Sequence, residues 1–218
     1  MRRKQDYFTS SNLDQLTREL IEEYRDKRRQ QPLRPGRCAL LLLDLQRYFL
    51  DPDFHAFIPS APVLLPGILD LARRFREKEW PVIATQHCNT EANAGGMGRW
   101  WQDLLTPDHP GQFLLDEILS LADEVVLKSQ YDAFMGTRLL ELLSGLQVKQ
   151  VIITGVMTHL CCESTARSAF SHGYEVFFPV DGSASYTIEH HRATLLNLAH
   201  GCAYLCSMKE LLGAWEKV

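Results

Sequence analysis

The sequence lacks any apolar run near the roughly 18 residues a membrane span needs, so no spanning helix is expected. It has little surplus charge: 23 Lys and Arg against 27 Asp and Glu leave a net charge of −4. That balance gives no electrostatic footprint for nucleic acid and no broad attraction to anionic membranes. No signal-peptide core follows the polar stretch from Met1 to Tyr7, and a cytoplasmic location is the expectation. Internal repeats and low-complexity tracts are also missing. The six cysteines, Cys38, Cys88, Cys161, Cys162, Cys202 and Cys206, include no C-x-x-C pair. No Cys/His cluster has zinc spacing, so neither a structural metal nor a disulfide framework is expected. The C-x-x-x-C pair Cys202 and Cys206 reads as buried core thiols.

What is present suits one sizeable domain. Of 218 residues, 45% are hydrophobic and 23% charged, enough for a core and too apolar for global disorder. Residues 9–30 read as one helix, capped by Ser10 or Ser11, with Leu13, Leu16, Leu20, Ile21 and Tyr24 as its apolar stripe. The basic stretch 25–29 suits the negative end of its dipole. Pro32, Pro35 and Gly36 end it. Residues 1–36 therefore form a helical extension that clasps either its own domain or a partner subunit.

From residue 37 to 218, strands and helices alternate. Strands are read at 38–45, 81–85, 124–127, 149–154, 174–180 and 203–205. Helices are read at 62–79, 112–120, 137–145, 161–172 and 188–200, with a last helical piece at the end. Such alternation predicts an α/β three-layer sandwich with a parallel sheet. The irregular stretch 87–111 is long enough to be functional.

Ligands of open parallel sheets bind beyond the carboxyl ends of the strands, where strand order reverses. Asp44 falls near the end of the first strand. Lys128 follows the third. Cys161 comes six residues after Gly155 and opens the next helix. Singly, each has an ordinary reading: a turn carboxylate, a solvated lysine, a core thiol. Jointly they are informative, because burying Asp44 and Lys128 is costly unless they pair. A helix N-terminus and a nearby ammonium both lower a thiol pKa. Asp44 can then accept the thiol proton and pass it to a leaving group.

Three segments in order carry a resemblance: L-L-L-D-L-Q-R-Y-F at 41–49, L-K-S-Q-Y-D-A-F at 127–134, and I-T-G-V-M-T-H-L-C-C-E-S-T-A-R-S-A-F-S-H-G-Y-E-V at 153–176. Together they resemble the isochorismatase-like hydrolases, over residues 37 to about 212. The resemblance implies a six-stranded parallel sheet in order 3-2-1-4-5-6, which brings Asp44 and Cys161 side by side. It implies a cis peptide bond between Val156 and Met157, and an oxyanion hole from the Met157 and Cys161 amides. It implies a catalytic triad of Asp44, Lys128 and Cys161 acting on a small molecule through a thioester, without a cofactor, in a homodimer or homotetramer. Cys162 is taken as packing.

Departures within the family narrow this reading. Isochorismatases proper resemble this chain but carry glycine at the position of Cys161, so a thiol there favours an amidase-type hydrolase. Nicotinamidases carry an Asp-x-His metal motif after the second strand, and the matching residues here are His87 and Asn89. No metal is expected, and His87 reads as a pocket residue or a satisfied histidine. In G-G-M-G-R-W-W, residues 95–101, Arg99 suits a substrate carboxylate. Trp100 and Trp101 either wall the pocket or bury in the core or an interface. Gln46, Phe49, Tyr131 and Phe134 adjoin the motifs and are candidate pocket walls, while Asp181 orders a turn. A vinyl-ether hydrolase and a non-catalytic binding or assembly protein are the competing readings.

Overall fold

Six consecutive apolar residues, Cys38–Leu43, form strand β1, and each is fully buried. A strand covered on both faces needs such an unbroken run. The computed structural model describes residues 3–28, 31–34, 36–101 and 103–214. The other strands are β2 (Val82–His87), β3 (Glu124–Lys128), β4 (Gln150–Val156), β5 (Glu175–Pro179), β6 (Ser183–Ala184) and β7 (Ala203–Cys206). They pair in parallel in the order β3-β2-β1-β4-β5-β7, with β6 attached to β4.

The expected strand order is present, but the sheet has seven strands among the described residues, not six. The extra strand β6 pairs Ser183 and Ala184 with Gly155 and Val156. It continues the sheet beyond the last β4–β5 pair, Ile152 with Phe177. Two small residues carry no alternation or apolar run, so pattern alone could not reveal it.

The helices are α1 (Leu13–Tyr24), α2 (Arg47–Leu50), α3 (Leu65–Glu77), α4 (Met97–Trp100), α5 (Asp116–Leu121), α6 (Leu139–Gly145), α7 (Glu163–Ser171), α8 (Ile188–Gly201) and α9 (Met208–Ala214). A wide π-helical turn, Thr158–Cys162, precedes α7. No helix of the described residues is long and apolar enough to cross a membrane.

Several boundaries differ from the sequence reading. Helix α1 is shorter than 9–30: it stops where its apolar stripe ends, and Arg25 turns extended. Residues 29 and 30 lie outside the described residues. Asn12 rather than Ser10 or Ser11 organises its start, accepting from Thr9 N at 2.8 Å and donating to Tyr7 O at 2.9 Å. Residues 112–115 are not helical, because Leu114 pairs with Gln46 and Leu115 N donates to Leu45 O. Gly201 is the last residue of α8 and not its cap.

Two features set the site. The register places Leu43 between Thr85 of β2 and Gly155 of β4, so Asp44 emerges where strand order reverses. Gly155 has φ +111°, and a β-carbon there would fall 2.1 Å from the Leu43 carbonyl oxygen. Only glycine permits so close an approach of two backbones. On the other side, residues 3–24 join the same hydrophobic core, with Phe8 and Leu20 fully buried.

Candidate active site

Beyond the carboxyl ends of β1, β3 and β4, the structure brings Asp44, Lys128 and Cys161 together. Asp44 is fully buried and sits at φ 53°, in the left-handed region that aspartate tolerates better than most residues. The Thr85 hydroxyl donates to its Oδ1 at 2.6 Å. Its Oδ2 lies 2.8 Å from Lys128 Nζ. That contact is not a well-aligned hydrogen bond, and Oδ2 keeps a lone pair for another donor. Lys128 Nζ donates to Gln130 O at 2.9 Å and to Cys161 Sγ at 3.3 Å.

The electrostatics follow from burial. Desolvation alone would push the Lys128 ammonium toward neutrality, but the adjacent Asp44 charge outweighs it and raises its pKa. The Cys161 thiol is pushed up to about 12, first by burial and then by Asp44, with Lys128 opposing. The expectation of a thiol pKa lowered by helix and ammonium is therefore corrected. One ammonium, already neutralised by a carboxylate, does not offset full desolvation. The resting arrangement is a neutral thiol beside a carboxylate–ammonium pair. Cys162 is fully buried, and burial holds its thiol well above the usual range too.

Cys161 lies at the floor of a cavity of about 310 Å³. Met157 lines it as well, and the peptide bond between Val156 and Met157 is cis. Phe49, Trp100, Trp101, Tyr131 and His87 are all in the wall. Trp101 donates from Nε1 to the Tyr131 oxygen at 2.8 Å, which fixes one aromatic side. Trp100 stands at the rim, 78% exposed.

Three expected pocket residues are elsewhere. Gln46 is fully buried as a brace: it donates to His87 O and Gln112 O and accepts from His87 N. Phe134 packs against the rings of His172 and Tyr174. Arg99 is exposed, whereas Met97 of the same helix turns into the cavity; residues two apart on a helix do not share a face. Tyr48, His55, Leu160 and Tyr186 also line the cavity. Tyr48 lies within the first motif and was reachable by its position there. His55 and Tyr186 sit in irregular segments with no sequence signal. His55 Nδ1 is 3.1 Å from Asp103 at the mouth. Among the described residues, no arginine or lysine lines the cavity, and Lys128, beside Cys161, is already paired with Asp44.

The residues do not fit a nicotinamidase-type metal. His87 Nε2 is 2.8 Å from Asn89 Oδ1, and its Nδ1 faces the Lys128 ammonium at 3.5 Å. Because Asn89 Oδ1 can only accept, Nε2 carries the proton and the imidazole is neutral. Burial and Lys128 both lower its pKa. Asn89 is committed to Ser129 O as well. The pair holds no carboxylate: an imidazole takes the carboxylate's place and an amide the histidine's, and an ammonium faces the free ring nitrogen, so a divalent cation finds repulsion there. Among the described residues no three His, Cys, Asp or Glu side chains converge as metal ligands.

Comparison with known proteins agrees with this geometry. Residues 38–210 match the isochorismatase domain. The chain is 39% identical to Nicotinamidase 3 of Arabidopsis thaliana, over 80% of this chain and 86% of that protein. It is 30% identical to Isochorismatase of Bacillus subtilis, over 82% of this chain but 58% of that longer protein. The crystal structure of a cysteine hydrolase from Pseudomonas syringae shares the fold, with a TM-score of 0.81 at 22% identity, covering 86% of this chain and 96% of that one. Motif order, strand order and relatives agree, and the chain belongs to the isochorismatase domain family of hydrolases.

Proposed function

We propose that this chain hydrolyses a C–N bond in a small planar amide or carbamoyl compound, through a thioester on Cys161. One observation carries the reading: Cys161 lines the cavity, and its Sγ lies 3.3 Å from an ammonium that is itself 2.8 Å from Asp44. The aromatic wall suits a flat substrate. Among the described residues the cavity wall carries no arginine or lysine, which disfavours a carboxylated one.

In the proposed mechanism, Asp44 takes the proton from the neutral thiol as sulfur attacks the carbonyl carbon. The carbonyl electrons move to oxygen, which the Met157 and Cys161 amides hold. Such donors typically contribute about 3 kcal/mol each. The intermediate collapses, the C–N bond breaks, and Asp44 gives its proton to the leaving amine. A water then attacks the thioester and yields its proton to Asp44. The C–S bond breaks, the acid leaves, and the sulfur recovers the proton. Lys128 keeps its own proton throughout, and its charge holds the Asp44 carboxylate in place. This division of labour follows general acid–base and covalent catalysis.

The test is a screen of nicotinamide, small ureas and carbamoyl compounds for ammonia or amine release, with the Cys161→Ala protein alongside. Turnover by the native chain and none by Cys161→Ala is expected, together with an acyl adduct on Cys161 in quenched samples. Full turnover by Cys161→Ala, or cleavage of a vinyl ether with no amide cleaved, sinks the reading. A vinyl-ether hydrolase uses the acid and needs no thiol.

A further inference from the structure

Residues 3–8 lie outside the family match, yet they touch the walls of the candidate active site. The Tyr7 and Phe8 amides both donate to Ser60 Oγ, at 2.8 and 3.0 Å, and anchor the segment. The Tyr7 phenol oxygen, buried, accepts from Ser185 N at 2.9 Å. The Ser185 hydroxyl is 2.6 Å from His159 Nδ1. The Thr158 hydroxyl donates to Ser183 Oγ at 3.1 Å and lies 3.0 Å from His191 Nδ1. Thr158 and His159, with Leu160, lie between Met157 and Cys161, within the wide turn Thr158–Cys162.

Further along the same segment, Gln5 N donates to Tyr186 O and its Oε1 accepts from Ile188 N, both at 2.8 Å. Lys4 Nζ sits 4.3 Å above the Tyr186 ring. It also donates to the carbonyls of His55 and Phe57. Tyr186 and His55 both line the cavity. One short segment thus joins two pocket walls and the turn that presents the thiol.

We propose that residues 4–7 are a positioning strap for the active site, in which Tyr7 fixes the Thr158–Cys162 turn and Lys4 fixes the pocket wall. A π-helical turn is wider than an α-helical one and occurs mostly as an isolated turn at functional sites. Its shape here is set by side chains from outside it. Donors aimed at a developing oxyanion work only if already in place. Tyr7 does not line the cavity; it acts through Ser185, whose hydroxyl meets His159 of the turn.

The kinetic part of this proposal rests on the hydrolase reading, but its structural part does not. In the full chain, Tyr7→Phe removes the phenol oxygen and keeps the ring that packs on Phe8 and His191. Amide hydrogen exchange at residues 157–162 should rise about tenfold, with β1 and β4 unchanged, as expected for local opening. On an amide that the native chain cleaves, kcat should fall about tenfold with KM within about twofold, in line with a misplaced reacting geometry. Lys4→Met should instead raise KM about fivefold and leave kcat alone. Unchanged exchange at 157–162, or an equal rise across the whole sheet, overturns the strap. So does an unchanged kcat in Tyr7→Phe. Exchange needs no substrate, so a failed strap is distinguishable from a failed hydrolase reading, which Cys161→Ala decides.

Discussion

At Cys161, two opposing influences were both foreseeable, but only their residue types were written in the sequence. An ammonium nearby lowers a thiol pKa, while burial and a carboxylate raise it. Spacing placed Asp44, Lys128 and Cys161 at strand ends, and so located the site. Spacing does not say how much water the sulfur keeps, and the structure leaves it almost none. The consequence is measurable. Between pH 7 and 9, thiolate absorbance near 240 nm should be the same for the native chain and Cys161→Ala, because a thiol at about 12 stays protonated in that range. One extra thiolate in the native chain at pH 7 would contradict the assignment of Asp44 as the base. Gln46 and Phe134 were legible as neighbours of the motifs but not as braces and packing residues. Adjacency along a chain does not give direction in space, and each side chain turned away from the cavity.

Among the elements, the central strands were the most readable, since β1 and β4 are buried throughout and need continuous apolar runs. Strand β6 and the strap at residues 4–7 were not, because their pairing depends on single hydrogen bonds and not on periodicity. Asp181 was read as a turn residue, and it caps the start of α9, accepting from Met208 N at 2.8 Å. Burial raises its pKa from 3.8 to about 6, with its hydrogen bonds to backbone amides opposing. A raised folded-state pKa means that the folded chain holds the proton more tightly. The favourable contribution is therefore complete below pH 3.8 and is lost as pH climbs through about 6. Asp181→Asn should remove this dependence. Relative to the native chain, urea unfolding should show it gaining about 1 kcal/mol between pH 5 and pH 7.5. An identical pH profile for both proteins would show that the carboxyl does not titrate in this range.

Across the whole molecule, two neutral histidines, one buried and one half-buried, cost stability toward acid pH. His191 is fully buried, its Nε2 donating to Val180 O at 3.0 Å, and burial lowers its pKa to about 3. His159 is lowered to about 4 by burial and by His190, whose ring stacks on it at 4.3 Å. Here the sign is opposite to that of Asp181. A depressed folded-state pKa gives stability that is full above 6.5 and is lost as pH falls toward 3. For His191 alone the loss by pH 4 is about 3 kcal/mol. Its ring proton resonances should stay fixed from pH 7.5 to 4.5 while the unfolding midpoint drops. A ring signal that titrates near 6.5 in the folded chain would remove the cause. The close seam between Leu43 and Gly155 has a different reach. Because Gly155 lets β4 run close against Leu43, the strand that leads into Asp44 and the strand that leads into the Cys161 turn stay paired neighbours to their ends, about 5 Å apart. Saturation of position 155 should return glycine alone among folded clones, whereas substitutions at His55 and Trp100 alone should alter which compounds enter and leave the reaction itself intact. In the proposed hydrolase the bond-breaking groups are thereby bolted to the framework, and selectivity is left to the rim.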